Sequence, residues 1–145
     1  MIYIDTSFLT PYYIEEDTSD RVEDVIFNIP VDRLAISDWS QVEFASLLAR
    51  RLRMGEITRE MLREVMTVFD IELRESYAVF GVSRADFEVA TRFWFQEGAT
   101  GLRAGDALHL AIAYNRRVER ILSLDRRLIT IVRMLGINAD SAGIE

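Results

Sequence analysis

The amino-acid sequence predicts one α/β domain with a mainly parallel central sheet, and three observations lead there. Short apolar segments at 1–4, 34–37 and 121–124 alternate with amphipathic stretches of helical length, the pattern of fully buried strands linked by helical crossovers. The longest apolar run, 101–113, is nearly continuous and carries Asp106 near its head, so it reads as a helix packed on more than one side. The chain of 145 residues suits a single domain, 1–145, and no internal repeat, low-complexity tract or long linker divides it.

Each element has a local reason. Met1 to Ile4 is rich in β-formers and ends at Asp5, after which the chain turns into an irregular early helix, Phe8 to Ile14, that includes Pro11. Ser19 to Asn28 places Val22, Val25 and Ile26 on one side of a helix, and Pro30 stops it. Leu34 to Ser37 is a second buried strand. Asp38 is expected to cap the next helix, which runs to about Met54 with Val42, Ala45, Leu48 or Ala49, and Leu52 as its apolar face, and Gly55 ends it. Thr58 caps a helix to about Arg74 whose core series is Leu62, Val65, Met66, Phe69 and Leu73; the two form a helical hairpin around 38–74.

Tyr77 to Val82 is β-like in composition but interrupted by Gly81, and is read as an extended link. Ser83, with Asp86 three residues on, starts a helix expected to turn Phe87, Ala90, Thr91 and Trp94 inward. The central helix runs from Ala104 to about Asn115. Ile121 to Leu124 is a further strand, Asp125 caps a helix from Arg126 to Leu135, and 137–139 adds an edge strand.

Composition narrows the chemistry. A net charge of −7 argues against broad attraction to nucleic acid or anionic membrane, so a nucleic-acid ligand would need cations or a local basic rim. Without cysteine there is no disulfide framework, thiolate metal site or cysteine nucleophile. Neither a signal-like N-terminus nor an apolar run long enough to span a bilayer is present, so a cytoplasmic protein that does not engage the membrane is expected.

Four acids occupy related positions. Asp5 follows the first strand, Glu43 sits early in the helix after the second, Asp106 heads the central helix, and Asp125 follows a third strand. The carboxyl ends of parallel strands share one side of the sheet, so these loops can converge. Such a cluster repels itself unless it binds protons or cations, and oxygen-only ligation points to magnesium or manganese. Divalent ions held this way activate water and stabilise phosphoryl charge. The simpler alternatives are a helix cap for Asp5 and Asp125, a dipole-stabilised helix start for Asp106, and a solvated helix position for Glu43.

With these residues in hand, the chain resembles the PIN-domain ribonucleases and, within them, the VapC toxins of prokaryotic toxin-antitoxin pairs. Ile2-Tyr3-Ile4-Asp5-Thr6-Ser7 is similar to the first family motif, Ser37 to Glu43 to the segment bearing the glutamate, Leu102 to Ala111 to the most distinctive motif, and Leu122-Ser123-Leu124-Asp125 to the last. The resemblance implies a three-layer α/β/α fold and a Mg2+- or Mn2+-dependent endoribonuclease acting on RNA. It also implies a small cognate antitoxin and a homodimer. Asp5, Glu43, Asp106 and Asp125 would be the catalytic and metal-binding residues, supported by Thr6, Ser7, Ser123 and Arg103. Competing functions are a PIN-type nuclease of RNA processing or DNA metabolism, and a catalytically inert protein-interaction module.

Around this site, Arg103 is a candidate for phosphate or for an acid of the cluster. His109, one turn beyond Asp106, is read as a packed or hydrogen-bonded structural histidine in preference to a metal or RNA contact. Arg50, Arg51, Arg53, Arg116, Arg117, Arg120, Arg126 and Arg127 are either an RNA-facing rim or ordinary solvated helix ends. Tyr12, Tyr13 and Trp39 are either base-stacking surfaces or packing residues.

Overall fold

In the computed structural model, which describes residues 1–144, five short strands form one sheet in the order β3-β2-β1-β4-β5, every neighbouring pair parallel. The strands are β1 (Ile2–Ile4), β2 (Leu34–Ser37), β3 (Ala78–Phe80), β4 (Arg120–Leu122) and β5 (Ala139–Asp140). The helices are α1 (Thr6–Tyr13), α2 (Ser19–Phe27), α3 (Asp38–Arg53), α4 (Arg59–Glu75), α5 (Arg84–Phe93), α6 (Ala104–Asn115) and α7 (Arg126–Met134). The sheet is therefore entirely parallel, and the segment expected to be an extended link is its edge strand β3: Ala78, Val79 and Phe80 pair with Ala35, Ile36 and Ser37. Gly81 does not interrupt that strand but follows it.

Alternation along the strands divides the core into two layers. Tyr3, Ala35, Ile121 and Ala139 face a cluster built from α5, α6 and α7. Ile2, Ile4, Leu34, Ile36 and Leu122 face the other cluster, which holds Phe8 and Leu9 of α1, Val22 and Ile26 of α2, Phe44 and Leu48 of α3, and Phe69 of α4. A three-layer α/β/α sandwich results, because period-two side chains give each fully buried strand two apolar faces to cover.

Several helix details differ from the sequence expectation. Ser37, not Asp38, caps α3: its hydroxyl accepts from the Ser40 amide at 3.3 Å, while Ser40 Oγ accepts from the Ser37 amide at 3.1 Å. The buried stripe of α3 is Ser40, Phe44 and Leu48, and Val42 is 57% exposed. On α5 the inward residues are Asp86, Ala90 and Phe93, whereas Phe87 is 54% exposed.

Asp86 is wholly buried, where an unpaired carboxylate would be costly. It accepts from the Ser83 amide at 2.8 Å, from Asn115 Nδ2 at 2.8 Å and from the Arg116 guanidinium, tying the start of α5 to the end of α6. Burial pushes its pKa up, but these donors outweigh that and hold it below the ordinary carboxylate value.

Candidate active site

The strand order reverses direction at β1, whose neighbours are β2 on one side and β4 on the other, and the loops after β1 and β4 leave the carboxyl end of the sheet at the place where a parallel sheet of this kind offers a crevice. Asp5 stands there, 5% exposed, with its amide bonded to the Leu122 carbonyl at 2.9 Å. Its Oδ2 accepts from Ser7 Oγ at 2.6 Å, Ser123 Oγ at 3.0 Å and the Ser7 amide at 3.3 Å. The cap reading of Asp5 is thus realised, together with a serine pair that ties the first and last motifs to each other.

Glu43 reaches the same crevice from the second turn of α3. Its Oε1 bonds His109 Nε2 at 3.0 Å, and suitable ligand atoms of Asp5, Glu43 and His109 all lie within 4.8 Å of one another. Burial would raise the Glu43 pKa; His109, with Thr6 and Trp39 beside it, lowers it below the usual value. Gly105 leaves room for this carboxylate: a Cβ on it would stand 2.9 Å from Glu43 Oε2 and make the Glu43 side chain shift.

His109 is 1% exposed and hydrogen-bonded, as the structural reading expected, but its partners place it behind the site. Nδ1 lies 2.6 Å from Tyr3 Oη, which is 2.8 Å from Ser37 Oγ. Burial disfavours the imidazolium, yet the Tyr3 oxygen and the Glu43 and Asp5 carboxylates outweigh it and raise the pKa to about 10.

Asp106 and Asp125 line the outer side. Asp106 Oδ2 accepts from the Arg103 amide at 3.4 Å and from Arg127 Nη2 at 3.2 Å. Its pKa is raised, first by burial and then by the negative charge of Asp5, against the pull of Arg127. Asp125 caps α7 through Oδ1, which accepts from the Leu128 amide at 3.1 Å, and its Oδ2 is 3.6 Å from Arg127. The guanidinium on the acids therefore belongs to Arg127, while Arg103 contributes a backbone N–H. Position 127 differs in sequence from its arginine neighbours only by lying two residues after Asp125.

The other sequence candidates separate. Arg51, Arg116 and Arg120 pair with Glu16, Asp86 and Asp140 away from the crevice. Tyr13 packs against Phe44 and Phe69, with Tyr12 edge-on to it. Trp39 lines the wall beside Gly105.

The chemistry of this donor set fits a hard divalent cation. Two carboxylates converge, and a third, Asp106, has its pKa raised by burial and then by the charge of Asp5, a condition that a cation relieves. The Thr6 hydroxyl and the Trp39 indole N–H, whose buried polar atoms have no other partner of good geometry, lie beside Glu43 as donors and help to hold its carboxylate ionised.

Among known proteins, the model of the PIN domain family matches residues 2–133. A comparison with curated proteins found no match. The structure of VapC20 from Mycobacterium tuberculosis, a sarcin-ricin loop cleaving toxin, is similar with a TM-score of 0.73 at 17% identity, covering 94% of this chain and 96% of that one. FitAcB from Neisseria gonorrhoeae gives 0.73 at 13% identity, with 98% of each chain covered. VapBC2 from Rickettsia felis, bound to a DNA fragment from their promoter, gives 0.67 at 14% identity, covering 97% and 98%. With a family match across nearly all of its length and this fold, the chain belongs to the PIN domain family.

Proposed function

We propose that the chain is a divalent-metal-dependent endoribonuclease and the toxin of a toxin-antitoxin pair, acting in the cytoplasm. The observation that carries the reading is the meeting of Asp5 and Glu43 at the carboxyl end of β1, with ligand atoms within 4.8 Å of one another. Asp5 and Glu43 would hold Mg2+ or Mn2+, with Asp106 and Asp125 completing the site from the outer side. Bound there, the cation supplies Lewis acidity and lowers the pKa of attacking water.

The chain's own groups perform the remaining tasks. Ser7 and Ser123 fix the Asp5 carboxylate by donating to Oδ2, so its other oxygen is the one to meet a cation. Arg127, already at the mouth, is the group to take a phosphate oxygen once the acids are neutralised. Arg103, exposed at the head of α6, is the second candidate for that task. A bound cation also reverses the local sign, which lets a protein of net charge −7 accept a polyanion.

The partner assignments draw on the comparisons and on two apolar surfaces. Among the similar structures, VapBC2 is bound to a DNA fragment from their promoter, which supports a small antitoxin as the partner of this chain as well. Exposed Val42 and Phe87 line a groove with Trp39, Trp94 and Leu108, and this apolar face of α3 and α5 supports a homodimer.

The test is cleavage of a defined RNA pool with mapped ends, comparing the intact protein with Asp5→Asn and Asp106→Asn in Mg2+, Mn2+ or chelator. Cleavage that needs the cation and is lost in both folded variants is expected. Cation-independent cleavage would overturn the metal role, and absence of cleavage by the intact protein would favour the inert interaction module.

A further inference from the structure

Resting on the metal-dependent reading above, we infer that His109 is a positioning residue and not a metal ligand: the buried relay Ser37–Tyr3–His109 holds Glu43 in the orientation that meets the cation. His109 is the chain's single histidine, and it lies inside α6 at 1% exposure. Both ring nitrogens are engaged, Nδ1 with Tyr3 Oη at 2.6 Å and Nε2 with Glu43 Oε1 at 3.0 Å. The Tyr3 ring meets the imidazole edge-on, with centroids 5.7 Å apart, so the ring plane is fixed by packing as well as by hydrogen bonds.

Hydrogen-bond direction decides between ligand and support. An ionised carboxylate only accepts, so Nε2 must carry a proton toward Glu43. Nδ1 then accepts from the Tyr3 hydroxyl in the neutral ring or donates to it in the imidazolium, and the contact with Glu43 is the same in either form. A protonated Nε2 offers no lone pair to a cation. Ligand atoms of all three groups lie within 4.8 Å of one another, and with its Nε2 proton committed to Glu43 the imidazole is the one of the three that has no lone pair free on that side.

The relay reaches past the site to the fold. Tyr3 Oη is 2.8 Å from Ser37 Oγ, and Ser37 caps α3, the helix that carries Glu43. One connected set of groups therefore joins β1, the β2–α3 junction and α6 to a single carboxylate oxygen. The other oxygen, Oε2, faces Gly105, where the missing Cβ leaves it room. Such supporting partners orient a ligand and raise its affinity, and their loss costs about 10–100-fold in metal binding or activity.

The test uses the intact protein and Mn2+ in two measurements. Calorimetric Mn2+ titration compares wild type with His109→Ala, His109→Gln and Tyr3→Phe, each first checked for folding by thermal denaturation. Expected is a loss of about 10–100-fold in Mn2+ affinity for His109→Ala. Recovery of most of that loss is expected in His109→Gln, whose amide N–H can donate to Glu43, with a smaller loss in Tyr3→Phe. Electron spin-echo spectroscopy of Mn2+ bound to protein labelled with 15N-histidine should find no directly coordinated histidine nitrogen, and the single histidine makes that signal unambiguous.

A coordinated histidine nitrogen overturns the inference, as does wild-type affinity in both folded His109→Ala and Tyr3→Phe. If His109→Ala does not fold, Tyr3→Phe and the spin-echo spectrum decide: unchanged affinity or a coordinated nitrogen overturns it. A wild type that binds no Mn2+ removes the metal-dependent reading itself, an outcome distinct from a binding wild type whose variants bind equally well.

Discussion

The crevice has an inner and an outer half, and they hold their acids by different means. Inside, Glu43 is fixed by a histidine that is 1% exposed and by a tyrosine and serine behind it. Outside, Asp106 and Asp125 share Arg127, whose side chain is 40% exposed. The acids themselves are similarly covered, the Glu43 side chain 30% and the Asp106 side chain 18% exposed, so the contrast lies in their partners. On one side is a buried imidazole with both nitrogens bonded, and on the other an exposed guanidinium of the kind whose ion pairs contribute about 0–1 kcal/mol. The inner carboxylate is thus held by a partner fixed in the core, and on the proposed reading Arg127 is the partner that a cation would displace. Asp5 lies at the seam, since it takes part in the inner cluster and also raises the pKa of Asp106.

The largest expected effect comes from breaking that seam. Asp5→Asn removes the charge common to both halves and should lower cation-dependent cleavage by about 1,000-fold, several kcal/mol of lost charge stabilisation. Single-turnover cleavage at saturating Mn2+ measures it, and a loss below tenfold would show that Asp5 is only the cap of α1.

A buried charge remote from the crevice supplies a yardstick for the inner half. Arg116→Ala leaves Asp86 in the core without its cation and should cost roughly 3 kcal/mol in denaturant unfolding. The same group gives a pH dependence. Because the folded pKa of Asp86 lies below the ordinary 3.8, its contribution is present above that value and is lost as pH falls through the folded pKa. Thermal denaturation from pH 6 down to about 2 should therefore decline less steeply in Asp86→Asn than in wild type; parallel curves would deny Asp86 this role.

In the outer half the expected effect is small and of opposite sign. Arg127→Ala frees Asp106 and Asp125 from a competing cation, so Mn2+ affinity should rise by up to about fivefold while RNA cleavage falls. Weaker Mn2+ binding in calorimetry would mean that Arg127 orders the acids instead of competing for them. Smallest of all for the crevice is Phe87→Glu on the apolar face of α5, expected to leave Mn2+ binding unchanged and to shift sedimentation from dimer to monomer. A wild type that sediments as a monomer would remove that face as a dimer contact.

The strands β1, β2 and β4, the central helix, and the placing of Asp5, Asp106 and Asp125 near helix starts were legible in the sequence because each depends on local pattern. A short apolar run bounded by Asp or Ser reads as a buried strand, and three strand ends with one helix head can meet only on the carboxyl side of a parallel sheet. The edge strand β3 was missed because its three residues are only half-buried and a glycine follows, so neither length nor alternation marks them.

Tertiary packing decided what periodicity left equivalent. Val42 and Phe44 are both apolar residues on α3, and only the neighbouring elements, including Tyr13 of α1 and Phe69 of α4, select Phe44 for the core and leave Val42 outside. Likewise, sequence set His109 one turn from Asp106, but its relation to Tyr3 and Glu43 spans 106 and 66 residues of chain. Local spacing carries no information about such distances. Arg127 is the same lesson in charge: among many arginines, the one on Asp106 and Asp125 is selected by where α7 begins beside α6. The sequence by itself determined which residue types were available and on which side of the sheet they stand; three-dimensional contact alone determined which of them touch.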